Sequence, residues 1–309
     1  MKTLIFISLL LSQNIHSEEK APETKPAPGI PGNEIWLFDI SESAAGELKL
    51  SAGKNITNHP GYDSQPRFSK DGQVIYYTRA VKSEKGSQMD IYEYHVTSGK
   101  TSPYMTTPES EYSPTVGYEE PGLTVVQVDS KGDQYVVSLN KDAPAADQMK
   151  RFSDLKQVGY FNWTGGHKWW GFVLNDTGGG DLYHMGKSKQ PKMLIKNVGR
   201  TFVTDATGKL VYFVDKNTTP WRIKSRQRKL HESIDVMALP PGVEDFTIDS
   251  KGRFWAGQDN KLLVSNDQKS WKEVKSFTAA DLQHGISRLT THPNADKIAI
   301  VFAENTNTE

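Results

Sequence analysis

Apolar and polar positions along this chain fall into short runs, and the arrangement recurs. A β-rich run, a polar turn containing Gly, a second apolar run and a polar break return six times. The clearest copies are Pro66-Arg67-Phe68-Ser69-Lys70-Asp71-Gly72-Gln73-Val74, Phe202-Val203-Thr204-Asp205-Ala206-Thr207-Gly208-Lys209-Leu210 and Phe246-Thr247-Ile248-Asp249-Ser250-Lys251-Gly252-Arg253-Phe254. The last two superpose without a gap. Starts at Ser64, Ser113, Tyr160, Thr201, Asp245 and Ile286 lie 49, 47, 41, 44 and 41 residues apart. A period in the forties with several short strands per unit is the pattern of propeller blades. The expected fold is therefore all-β, a six-bladed β-propeller.

The pattern predicts inner strands at about 64–69, 113–118, 159–164, 200–205, 244–249 and 285–291. Second strands follow at Val74–Thr78, Leu123–Val128, Lys168–Leu174, Leu210–Val214, Arg253–Ala256 and Lys297–Phe302. Several are nearly continuous apolar runs, as expected of strands covered on both faces by neighbouring blades. Third strands are expected at Asp90–Val96, Gln134–Leu139, Asp181–Met185, Pro220–Ser225 and Asn260–Ser265, with weaker fourth strands outside them. The sixth unit stops after its second strand. Glu34-Ile35-Trp36-Leu37-Phe38-Asp39-Ile40 has the character of a third strand, like Asp90-Ile91-Tyr92-Glu93-Tyr94-His95-Val96. N-terminal strands are thus expected to complete the last blade and close the ring, which removes free sheet edges.

Asn58-His59-Pro60-Gly61-Tyr62-Asp63-Ser64-Gln65-Pro66-Arg67-Phe68-Ser69-Lys70-Asp71-Gly72, followed by Asp90-Ile91-Tyr92 and Thr97-Ser98-Gly99-Lys100, resembles the repeat of TolB-like β-propellers. The resemblance covers about residues 33–304 and is strongest in the first blade. It implies a periplasmic propeller. TolB itself carries an additional N-terminal α/β domain, where this chain has only a Pro-rich stretch. Ser265-Asn266-Asp267-Gln268-Lys269-Ser270-Trp271 also resembles a sialidase-type Asp-box turn, one residue short and without its Gly. Such boxes are structural turns.

Domain boundaries follow from the N-terminus. Lys2 and the apolar run Leu4–Leu11, too short to span a bilayer, read as a secretory signal over 1–17 that ends at Ser17. Residues 18–32 (EEKAPETKPAPGIPG) read as a Pro-rich disordered spacer, 33–304 as the propeller and 305–309 as a polar tail. The expected address is periplasmic or secreted, with no transmembrane segment and a monomeric state. Basic and acidic residues both number 37, so no global field favours nucleic acid. The chain has no Cys, which excludes disulfides, thiolate metal sites and cysteine nucleophiles.

Candidate chemistry clusters where inner strands begin. Aligning the repeats places Asp63, Glu111, Tyr112, Tyr160, Arg200, Glu244, Asp245 and His284 near the channel mouth. Such side chains can hold a peptide or saccharide by charge-assisted and aromatic contacts, although polar residues also lead into strands simply because loops are solvated. Converging oxygens from Asp63, Glu111, Asn162 and Glu244 would suit a hard cation, but no local spacing supports a metal, and no metal or cofactor is expected. His59 and His292 both precede Pro and read as turn residues. Arg222, Lys224, Arg226 and Arg228 alternate with less polar residues, so a strand would project four cations from one face. A third strand between blades could not bury these cations unpaired, so the strand is expected to end early or face water. The ladder reads either as a solvated outer hairpin or as a grip for an anionic polymer or lipid headgroup. Trp163, Trp169 and Trp170 read as filling between blades or as a sugar platform. No Gly-x-Ser-x-Gly elbow or phosphate loop is present. The reading that results is a non-catalytic module for a protein or peptide partner. The alternatives are a metal-dependent lactonase or hydrolase, and a carbohydrate-binding protein.

Overall fold

The computed structural model describes residues 32–304, except 84–85, 118–121, 166–167, 187–189, 206–208, 228–231, 280–281 and 283. The signal, nearly all of the spacer and the polar tail lie outside the described residues. In chain order the strands begin with β1 (Asn33–Glu42), β2 (Leu48–Leu50) and β3 (Lys54–Asn55). The first blade is β4 (Asp63–Phe68), β5 (Val74–Ser83), β6 (Gly86–His95) and β7 (Thr101–Pro103). The second is β8 (Ser110–Val116), β9 (Leu123–Val128), β10 (Gln134–Leu139) and β11 (Met149–Arg151), with a 3-10 turn at Ala145–Asp147. The third is β12 (Val158–Gly165), β13 (Lys168–Leu174), β14 (Gly180–Met185) and β15 (Pro191–Ile195). The fourth is β16 (Val198–Thr204), β17 (Leu210–Asp215), β18 (Arg222–Gln227) and β19 (Ser233–Ala238). The fifth is β20 (Phe246–Ile248), β21 (Phe254–Gln258), β22 (Lys261–Ser265) and β23 (Lys272–Ser276). β24 (Ile286–Thr291) and β25 (Lys297–Ala303) open the sixth blade.

The sixth sheet runs β2-β1-β25-β24, so the N-terminal strand is its third member. β1 pairs antiparallel with β25 from Asn33↔Ala303 to Asp39↔Lys297. The shared blade is the expected closure. It is reinforced where Gly61 N–H donates to Glu304 Oε1 at 2.9 Å. Two of the hairpin turns between inner and second strands show why the repeat reads as it does. Asp249 Oδ1 accepts the N–H groups of Lys251 and Arg253 at 2.9 and 3.0 Å, and Gly252 takes φ 80°. In the first blade Ser69 stands in the place of Asp249, its Oγ accepting Val74 N–H at 3.0 Å, while Asp71 Oδ1 accepts Gln73 N–H at 3.1 Å across Gly72 (φ 73°). An Asx-type side chain followed by a residue in left-handed backbone makes this turn cheap only for Gly.

Among the described residues six apolar clusters fill the ring, each centred on one blade interface. Phe38, Phe277, Phe302 and Trp255 join blades five and six, and Ile35, Ile75, Tyr77 and Val301 join six and one. Trp163, Trp169 and Trp170 are all buried in this filling, and Trp163 Nε1 donates to Thr124 Oγ1 at 2.8 Å. They form no exposed sugar platform. His292 is also a turn residue: its Nδ1 accepts Asn294 N–H at 3.1 Å and lies 2.7 Å from Asp296. Asp267 collects the N–H groups of Lys269 and Ser270, each at 2.9 Å, as a structural Asp turn.

The basic ladder corrects one expectation. β18 neither ends early nor turns all its cations to water. It runs to Gln227, and neighbouring acids absorb two of the charges. Arg222 forms a two-point pair with Asp235 on β19, with both bonds at 2.5 Å, and Lys224 meets Asp215 on β17 at 2.6 Å. Arg226 is buried on the same strand, and Arg228 lies outside the described residues.

Candidate functional site

The inner strands of all six blades converge on a central channel. Gln65, Ser113, Tyr160, Thr201, Asp245 and Arg288, one from each blade, line its mouth together with Arg200. Backbone bulges set this layer. The ladder shifts between Ser64 and Arg67 in blade one and between Tyr112 and Thr115 in blade two. It also shifts between Val158 and Tyr160, Val198 and Phe202, and Ile286 and Arg288 in blades three, four and six. In the first two blades Gln65 and Ser113 take positive φ of 59° and 54°, which is uncommon outside Gly and marks the bulge. Gln65 Oε1 then accepts Ser113 N–H at 2.6 Å and the Thr78 hydroxyl at 2.9 Å, tying blade one to blade two at the rim.

On the opposite side of the mouth, two guanidiniums share one carboxylate. Arg200 donates to Asp245 through Nε at 3.0 Å and through Nη2, and Thr201 Oγ1 donates to Asp245 at 2.7 Å. Arg288 Nη1 lies 3.6 Å from Asp245, while its Nη2 donates to the Tyr160 hydroxyl at 2.8 Å. Burial works against the ionised Asp245, but Arg200 and Arg288 hold its carboxyl below the ordinary carboxylate range. With two fixed cations and one anion, the mouth carries a net positive charge and spare N–H donors. Arg200, Asp245, Tyr160 and Arg288 are all half-buried and so remain reachable from the channel.

Of the residues expected at the mouth, Tyr160, Arg200 and Asp245 line it. The others lie elsewhere. Asp63 is fully buried and takes Arg79 Nε at 2.6 Å. Glu111, its counterpart in the next blade, accepts the Thr107 hydroxyl and Gln127 Nε2 at 3.0 Å, and its Oε2 has no partner among the described residues. Burial pushes the Glu111 carboxyl up to about 7, against those two hydrogen bonds. Tyr112 packs in the core with Val126, Val158 and Phe161. Glu244 accepts Arg200 N–H at 3.0 Å and lies 3.4 Å from Lys216. His284 sits in the connection between β23 and β24, its Nε2 buried and unpartnered among the described residues. Asp63, Glu111 and Glu244 are thus each turned onto a different local partner, and no group of three metal-binding side chains forms among the described residues.

Sequence reasoning missed Gln65, Ser113, Thr201 and Arg288. The signal was available in the repeat: Gln65-Pro66 and Ser113-Pro114 occupy matching places, two residues beyond Asp63 and Glu111. Counting from the acids rather than from the Pro positions put the mouth one pleat too early.

No protein-family model and no curated protein sequence matches the chain. Solved structures do. A protein assigned to TolB from Agrobacterium tumefaciens superposes with a TM-score of 0.66 at 13% identity, covering 90% of this chain and 100% of that one. TolB from Acinetobacter baumannii gives 0.56 at 11%, covering 90% of this chain and 66% of that one. The chain has the fold of the TolB-like propellers. A gluconolactonase from Xanthomonas campestris also superposes, at 0.54 and 10% identity over 92% of this chain and 99% of that one. Identities this low establish shared architecture, so what this propeller does must be argued from its own channel. No helix among the described residues is long and apolar enough to cross a membrane.

Proposed function

We propose that this TolB-like propeller is an exported, non-catalytic binding module. Its channel mouth receives a carboxylate-bearing segment, an acidic loop or a free C-terminus, of a protein or peptide partner. The observation that carries the reading is the Arg200–Asp245–Arg288 arrangement, in which one carboxylate leaves two guanidiniums incompletely neutralised. Arg forks suit planar carboxylates, and half-buried Tyr and Arg are the side chains that dominate interface energies. The same charge disfavours a cation at this mouth, which argues against the hard-cation alternative. Export rests on the apolar run Leu4–Leu11 ending at Ser17, with residues 18–32 as a spacer before the propeller.

The test is a selection of peptides against the mature protein, followed by affinity measurement of each hit with a free and an amidated C-terminus. Tyr160→Ala and Arg288→Met should each weaken binding about tenfold or more, as expected for truncating an interface anchor. Neutralising Arg222 and Lys224 should give a smaller effect that disappears at high salt. If the mouth variants bind normally and the Arg222/Lys224 variant does not, the functional face is the outer rim and the proposal fails.

A further inference from the structure

The far end of the channel carries a second, separate feature. The next inward-facing layer consists of Arg67, Thr115, Asn162, Val203, Thr247 and Thr290, again one residue per blade. All six line a larger cavity of about 260 Å³ that opens toward the turns between inner and second strands, and all but Asn162 also line the mouth cavity, of about 120 Å³. The layer is therefore a floor between two chambers. None of the side chains lining the larger chamber is acidic.

Arg67 is unusual in this setting. Among the described residues its guanidinium makes no hydrogen bond and no ion pair, whereas Arg79, Arg200, Arg222, Arg253 and Arg288 each meet a carboxylate. Arg67 is half-buried, so partial removal from water lowers its pKa, and no charged neighbour offsets this. An unpaired cation partly withdrawn from water is costly unless something supplies the missing charge. The surroundings are also unmatched. Thr247 and Thr290 are buried, with no side-chain hydrogen bond among the described residues. Asn162 spends one N–H on the Phe202 carbonyl at 3.1 Å and keeps a second.

We infer that the larger chamber is a binding site for a small oxyanion, a phosphate or a compact carboxylate, held by the Arg67 fork and by donors of Asn162, Thr247 and Thr290. The chemistry follows from the donors. A guanidinium presents paired N–H groups that match two oxygens of one anion, and Thr hydroxyls and an amide N–H take the remaining oxygens. The volume suits an inorganic ion or a small organic acid, being smaller than pockets that hold drug-sized ligands. This site is distinct from the mouth, where the Arg charges are already shared with Asp245.

The experiment uses the mature protein at constant ionic strength, set with chloride. Thermal midpoints and calorimetric titrations are recorded with inorganic phosphate and, separately, with citrate. A saturable stabilisation by either anion is expected, and which of the two acts identifies the oxygen source. Arg67→Met should weaken that binding at least tenfold while folding as well as wild type in anion-free buffer, because it removes an unpaired charge. Arg67→Lys, which keeps the charge and loses the fork, should weaken binding by less, and it serves if the Met variant does not fold. Arg288→Met should keep the full response, which separates this site from the proposed partner site. No saturable response to either anion overturns the inference, and so does an equal response from wild type and Arg67→Met.

Discussion

Glu111→Gln tests whether a buried carboxyl between blades one and two is forced toward its neutral form. Glu111 is fully buried, one of its oxygens has no partner, and the nearest charges, Asp90 and Glu109, share its sign. Its pKa rises from an ordinary 4.5 to about 7, with burial as the largest cause. A carboxyl raised in this way binds its proton more tightly in the folded chain than in the unfolded one. Between about pH 4.5 and 7 the native state therefore holds more protons, and stability falls as pH rises. The contribution is fully present below the unfolded value and lost once pH passes the folded one. At about 1.4 kcal/mol per pH unit, a rise from 4.5 to about 7 corresponds to about 3 kcal/mol. Gln occupies the same volume and cannot ionise. At low pH, protonated Glu111 leaves an O–H where Gln leaves an N–H, so the two proteins should match. The assay is a thermal midpoint series for wild type and variant from pH 4 to 8.5. The variant should gain on wild type from about pH 4.5 and level off above 7. The final gap is about 6 °C at roughly 2 °C per kcal/mol for a chain of this size. Asp63 is also raised to about 7 by burial, but it is present in both proteins and cancels in the difference. Parallel midpoint curves, or a variant less stable than wild type at pH 8.5, would refute the reasoning.

Two further outcomes follow from the closure and the core. Deleting 33–50 removes β1 and β2, strips β25 of its seven-residue ladder and opens a sheet edge. It should abolish cooperative melting, whereas deleting 18–31 should leave the midpoint within about 2 °C, a shift below ~1 kcal/mol; equal midpoints would dismiss the shared blade as a staple. Phe38→Ala empties a fully buried site packed against Phe277 and Phe302 and should cost about 3–5 kcal/mol in denaturant titration; a loss under ~1 kcal/mol would mean that blades five and six are not held there.

Much of the ring was legible because its signals are local. Leu210–Val214 and Lys297–Phe302 read as buried second strands, and β17 and β25 are those strands. The Asp71-Gly72 and Asp249–Gly252 turns are encoded in the residues that make them. The third-strand character of Glu34–Ile40 announced the closure. The mouth was only partly legible, since Asp63 and Glu111 look like solvated loop acids until β5 and β9 bring Arg79 and Gln127 against them. The ladder was misread for a related reason: Asp215 and Asp235, which neutralise it, sit on the strands to either side.

The amino-acid order alone determined the number of blades, the position of their turns and the borrowing of the N-terminus, because hydrophobic periodicity and turn chemistry act within a few residues. Which side chains face the channel was decided only in three dimensions. Side chains alternate across a strand, so a single bulge moves a residue from one face to the other. The bulges at Gln65 and Ser113 do this, and they are held by contacts between blades rather than along the chain. The sharing of Asp245 by Arg200 and Arg288, and the lack of a carboxylate partner for Arg67 among the described residues, likewise arise only when six distant segments meet around one axis.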